Sequence, residues 1–311
     1  KHIDGYYYFL ASVPEYDRIE IRKSKTINEL FKAPSVIVWK KHLDGDMSEL
    51  IWAPEIHYID KKWYIYFAAA PNKEVTGITF NHRMYVIECL DADPLTGTWT
   101  EKGQIKTGWE SFSLDATILQ HKGKLYYIWA QEDRNVNYES HSNIYIAEME
   151  NPWTLRTKPV MLTQPLLDWE IKIFWVNEGP AILKKNGKIF LTYSASATDE
   201  NYCMGMLVVN ENDDLLDPKS WKKLEKPVFK TSYKNKQYGP GHNSFTVSED
   251  GMKDLLVYHA RNYTDIEGDP LYDPNRHTRV QVIEWDKDGF PIFGEPVMDT
   301  RNVDFDSLRK K

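Results

Sequence analysis

The chain is poor in cysteine: among 311 residues only Cys89 and Cys203 occur. Both lie in strand-like apolar segments far apart in sequence, which reads as two buried small hydrophobes rather than a disulfide. Runs of basic residues are missing as well. With 39 Lys+Arg against 46 Asp+Glu, the formal net charge is -7, and the electrostatic footprint of a nucleic-acid binder is absent. No uninterrupted apolar stretch approaches the length that crosses a bilayer, so a membrane partner is not expected. The 3.6-residue periodicity of amphipathic helices is largely lacking. There is no HExxH pair, no paired CxxC and no twelve-residue calcium loop, so no dedicated metal centre is signalled.

Aromatic residues, in contrast, are abundant at 14%, and they recur in a pattern. A turn cluster followed by an alternating aromatic and apolar strand appears in HIDGYYYFLAS from His2, YIDKKWYIYFAAA from Tyr58, HKGKLYYIWAQ from His121, KNGKIFLTYSAS from Lys185 and SEDGMKDLLVYHA from Ser248. The turn markers Gly5, Lys61, Gly123, Gly187 and Gly251 are separated by 56, 62, 64 and 64 residues. That period fills the length and leaves little room for a second domain. A further strand-like segment follows in each unit, ending in RVQVIEW in the fifth, and each aromatic strand reads as half-buried. The expectation is an all-β chain whose residues 1–311 form a single five-bladed β-propeller.

Just ahead of four aromatic strands stand WAPEIHY (Trp52–Tyr58), SLDATIL (Ser113–Leu119), NEGPAIL (Asn177–Leu183) and GPGHNSF (Gly239–Phe245). The innermost strand of each propeller blade lines the central channel, so equivalent positions on different blades converge. Asp115, Glu178 and His242 lie 8, 9 and 9 residues before their turn glycines, and are expected to meet. A carboxyl among apolar residues carries a desolvation cost unless a partner or a wet pocket offsets it. Two such groups across an aromatic pocket, one protonated and one ionised, are the equipment of glycoside hydrolysis.

The combination of WAPE, DAT, EGP and a fifth-blade histidine resembles glycoside hydrolase family 43, the five-bladed propeller enzymes acting on arabinose- and xylose-containing polysaccharides. The resemblance spans essentially the whole chain. It implies an inverting hydrolase in which Glu178 matches the general acid and Asp115 the carboxylate that orients it and tunes its pKa. His242 matches the histidine beneath the sugar pocket, where it binds water or a hydrated calcium or sodium ion; no cofactor is required for the chemistry. Arg279, in RHTRVQV, resembles the pocket arginine of the last blade, and Trp52 a sugar-facing aromatic. The family's general base is an aspartate just before the first aromatic strand. The repeat offset puts it three or four positions ahead of Lys1, and a first residue that is Lys rather than Met suggests that an N-terminal piece was removed or not included.

The wording of these motifs is most similar to that of exo-acting α-L-arabinofuranosidases that cut 1,5-linked arabinan. The expected partners are therefore plant cell-wall arabinan and arabinose-containing oligosaccharides. An endo-arabinanase or a β-xylosidase of the same family, and a non-catalytic sugar-binding propeller, are the alternatives. Polar loops over 263–277 and 135–142 could wall one end of the channel into a pocket, as exo action requires. Compartment and oligomeric state are not legible.

Overall fold

A computed structural model describes residues 2–136 and 140–299. They contain strands and three short 3-10 turns, with no α-helix among the described residues. Most of the strands fall into five antiparallel sheets in sequence order, with two further two-stranded ladders, Val75–Thr76 with Thr79–Phe80 and Glu284–Trp285 with Pro291–Ile292. Blade one is His2–Ile3, Tyr6–Phe9, Arg18–Ser24 and Val36–Lys40; blade two is Glu49–Ile59, Lys62–Ala70, Arg83–Cys89 and Trp99–Gln104. Blade three runs Ser113–His121, Lys124–Gln131 and Asn143–Asn151, with Val160–Thr163 pairing the last of these. Blade four is Asn177–Lys185, Lys188–Ala195, Cys203–Asn210 and Lys222–Lys223. Blade five is Tyr238–Val247, Asp254–Arg261 and His277–Val282. The five repeats are thus the blades of a propeller, the motif segments their first strands and the aromatic segments their second.

The second strands of blades two, three and four differ from expectation in one respect: they are buried on both faces rather than half-buried. Along Lys62–Ala70 every residue after Lys62 is buried. Trp63, Ile65, Phe67 and Ala69 enter a core shared with blade one, while Tyr64, Tyr66, Ala68 and Ala70 enter a core shared with blade three. Alternation therefore sorts side chains between two neighbouring blades instead of between core and water. Blade four repeats the device, with Ile189 and Leu191 on the blade-three side and Phe190 on the blade-five side. The RVQVIEW segment also departs from a single strand: pairing ends at Val282, and Glu284–Trp285 turns away to pair with Pro291–Ile292.

The ring closes through side chains of the first blade. Tyr7 donates its hydroxyl hydrogen to the Val247 carbonyl at 2.7 Å, and Glu249 accepts from the Ile27 amide at 3.1 Å. Both cysteines are buried and free.

Candidate active site

Each complete inner strand carries the same interruption. The ladder slips between Trp52 and Glu55, Leu114 and Thr117, Glu178 and Ala181, and Gly241 and Ser244, with two residues facing one on the second strand. The first residue of each bulge is left-handed: Ala53 at φ 47°, Asp115 at 52°, Gly179 at 53° and His242 at 41°. A bulge re-aims side chains that would otherwise alternate, and bulges of this kind concentrate next to active sites. Asp115 and His242 thus occupy equivalent positions, although their offsets of 8 and 9 differ. Glu178 does not: the residue level with them in blade four is Gly179, and Glu178 stands one step earlier, level with Leu114 and Trp52.

That one-residue displacement builds the site. Because Gly179 holds the bulge, its amide donates to Asp115 Oδ2 at 2.9 Å across the gap between blades three and four. A Cβ at Gly179 would come within 3.2 Å of the His242 ring, so the close approach of three blades needs glycine there. Asp115 is 5% exposed; His242 Nδ1 lies 3.6 Å from its Oδ2, and the His242 amide donates to Ser194 Oγ at 2.7 Å. Glu178 Oε1 accepts from the Tyr202 hydroxyl at 2.7 Å. Tyr202 in turn lies flat on blade five, stacked on His259 at 5.6 Å and 9°, in space that a Cβ on Gly241 would fill.

Burial raises both acids to about 7, and it is their contacts that tell them apart. Burial pushes Glu178 up to about 7, reinforced by the charge of Asp115 and opposed by the Tyr202 hydroxyl, His242 and Arg276. Asp115 is also raised, first by burial and then by Glu55, but the Gly179 N–H stabilises its charged form. Of the pair, Glu178 is the one placed to carry the proton. Burial lowers His242, which keeps the imidazole neutral.

The cavity around these groups has a volume of about 1490 Å³ and takes in Trp52, Glu55, Asp115, Glu178, His242 and Arg276. Trp52 is on its wall, stacked on the buried ring of His82 at 4.0 Å and edge-on to Phe80 and Tyr16. The loop between the second and third strands of blade five reaches back over this side. Tyr16 donates to the Leu271 carbonyl at 2.7 Å, and Arg261 anchors the loop's base through the Thr198 and Pro270 carbonyls at 2.5 and 2.6 Å. Of the second loop expected to wall the channel, positions 137–139 lie outside the described residues.

Arg279 borders the cavity, as expected of a pocket arginine. Its guanidinium is committed to Gln237, to Asp299 at 3.0 Å and to the His277 carbonyl at 2.8 Å. The arginine whose charge bears on Asp115, Glu178 and His242 is Arg276, three residues earlier at the loop end. Sequence reasoning also passed over Tyr202 and Glu55. Glu55 sits in the quoted WAPE motif; its Oε1 accepts from Thr117 Oγ1 at 2.5 Å and lies 2.7 Å from His57 Nε2, joining blades two and three at the channel. In blade one the pairs His2 with Tyr7 and Ile3 with Tyr6 put the level of the bulge ahead of Lys1, so the expected general base lies outside the described residues.

The donor set does not build a protein-ligated metal centre: among the described residues no three His, Cys, Asp or Glu side chains are grouped to hold an ion. A hydrated ion near His242 would rest on one imidazole and water, and no chemical step is drawn through it here.

Residues 1–291 match the family model described as glycosyl hydrolases family 43. The chain is 56% identical over 299 residues to an extracellular exo-α-(1→5)-L-arabinofuranosidase of Streptomyces avermitilis, with 96% of this chain and 61% of the relative covered. A Streptomyces chartreusis protein of the same description is 51% identical over 270 residues, covering 87% of this chain and 80% of the relative. The crystal structure of an α-L-arabinofuranosidase from Lactobacillus brevis superposes with a TM-score of 0.95 at 62% identity, covering 97% of this chain and 94% of that one. The chain therefore spans about three fifths of the length of the Streptomyces avermitilis relative, which carries further sequence.

Proposed function

Because the chain belongs to family 43 of the glycosyl hydrolases, we propose that it is an exo-acting α-L-arabinofuranosidase that releases L-arabinose from α-1,5-linked arabinan and arabino-oligosaccharides with inversion. The observation that carries the chemistry is the pairing of Glu178 with Asp115 through Gly179 inside an aromatic-walled cavity.

In this reading Glu178, raised to about 7, gives its proton to the departing glycosidic oxygen. Asp115 does not touch that oxygen; its negative charge keeps the proton on Glu178 and its bond to Gly179 fixes the strand that carries Glu178. Water attacks the anomeric carbon from the opposite face and loses its proton to a general base, whose expected level in blade one falls ahead of Lys1. Arg276 bears on both carboxyls from the rim, and Trp52 offers an apolar wall to a furanose ring. Exo action is supported by the loop that Tyr16 and Arg261 tie down over the Trp52 side, which narrows a groove to a pocket. The similarity to two relatives named as exo-arabinofuranosidases points to the same substrate.

The test is product analysis on linear 1,5-arabinan with the full-length protein and its Glu178→Gln variant. Arabinose alone from the first time point, falling by about a thousandfold or more in the variant, is the expected result. Mixed oligosaccharides at early times would make the enzyme endo-acting, and binding without turnover would make it a sugar-binding propeller. Proton NMR of the first product is expected to show the inverted anomer.

A further inference from the structure

The segment that leads into the inner strand of blade four contains a strained turn that the chemistry above does not use. Ile173 has φ 67° and is 68% exposed, and the Phe174 amide donates to the Lys172 carbonyl at 2.8 Å. This is a three-residue γ-turn of the disfavoured hand, centred on a β-branched residue. An exposed Ile gains no packing to offset its strain. The turn is nevertheless pinned at its base, where Ser196 Oγ accepts from the Lys172 amide at 3.0 Å and the Ala197 amide donates to the Lys172 carbonyl at 3.0 Å.

What the turn achieves is the presentation of Phe174. This ring is 48% exposed, forms part of the lining of the cavity that holds Glu178, and is braced edge-on by His141 at 5.3 Å and 73°. His141 also lines the cavity, its Nδ1 is buried without a hydrogen-bond partner, and its amide is tied to the Trp175 carbonyl at 2.8 Å. Phe174 stands four residues ahead of Glu178 on the same segment. The group that departs after protonation is by definition the one beside the acid, and Phe174 borders the same cavity on the acid's own segment.

We propose that Phe174, held out by the γ-turn at Ile173, is the stacking platform for the arabinose unit that leaves, and so sets the preference for oligosaccharide over short leaving groups. The apolar C–H face of a furanose covers such a ring, removing both from water. The proposal rests on the arabinofuranosidase reading and deepens it.

The experiment compares the full-length protein with Phe174→Ala and Phe174→Tyr on α-1,5-L-arabinobiose and on α-L-arabinofuranosyl fluoride, which has no leaving sugar. Phe174→Ala is expected to lose tenfold or more in kcat/KM on arabinobiose and stay within twofold on the fluoride, with Phe174→Tyr restoring arabinobiose to within threefold. Equal losses on both substrates, or no loss on either, would overturn the platform while leaving the enzyme's activity in place. A wild-type protein that cleaves neither substrate would overturn the arabinofuranosidase reading, and one that cleaves the fluoride but not arabinobiose would overturn the 1,5-arabinan specificity and the platform together.

Discussion

Glu178 is held in a state that folding favours and ionisation opposes. Its folded pKa, raised by burial and by Asp115 to about 7, lies above the ordinary value of 4.5. The stabilisation it confers is therefore complete below that ordinary value and is lost as pH rises through about 7. A Glu178→Gln variant, neutral throughout, is expected to match the wild type near pH 4 and to exceed it at pH 8 by on the order of 1–2 kcal/mol in denaturant titrations. That figure is kept below the full shift because Glu178 keeps part of its surface open to the cavity. Tyr202 acts in the opposite sense, since its hydroxyl favours the charged carboxylate. Tyr202→Phe should move the alkaline limb of the pH–rate profile upward by about 0.5–1 unit, and a downward or absent shift would remove the bond's assigned role.

At the scale of the strand, the functional unit is the bulge. Gly179→Ala would place a Cβ 3.2 Å from the His242 ring at a left-handed φ of 53°. It should cost about 1–3 kcal/mol of stability and, by shifting the amide that Asp115 holds, lower kcat more than KM; unchanged kinetics in the purified variant would contradict that coupling. The strands and their order were legible in the sequence because turn residues and period-two alternation are local signals repeated five times. Their two-sided burial was less so, since a Tyr or Trp reads the same whether it meets water or another blade. The convergence of Asp115, Glu178 and His242 followed from spacing to a turn glycine, but their levels did not: the longer blade-five turn puts His242, at an offset of 9, level with Asp115 at 8, while Glu178 at 9 stands one residue earlier. Arg276 went unremarked beside Arg279 because both stand at one strand start and both border the cavity; only the pairing of Arg279 with Gln237 and Asp299 tells them apart. Tyr202 was invisible, being brought to Glu178 by a loop whose course no short pattern encodes.

For the whole molecule, the inter-blade cores run in series. Blades one and two share one core, blades two to four a second, and blades four and five a third. Between blades five and one the join relies on bonds such as that from Tyr7 to Val247 and that from Tyr16 to Leu271. Tyr7→Phe removes one of them and is expected to cost about 1 kcal/mol, lowering Tm by about 1–3 °C in calorimetry without changing arabinose release. No shift in Tm would show that closure does not depend on it.

The repeated bulge has one more implication, for how such a site can be altered. Four blades offer the same left-handed seat beside the channel, yet two carry ionisable side chains, Asp115 and His242, while Ala53 and Gly179 fill the others. Ala53 already adopts the conformation that Asp and Asn tolerate best, and it borders the cavity. The ring is thus a socketed frame with a spare position: a polar side chain introduced there would enter the channel without any change of backbone, so new contacts to sugar could arise one blade at a time while the acid pair stays where it is.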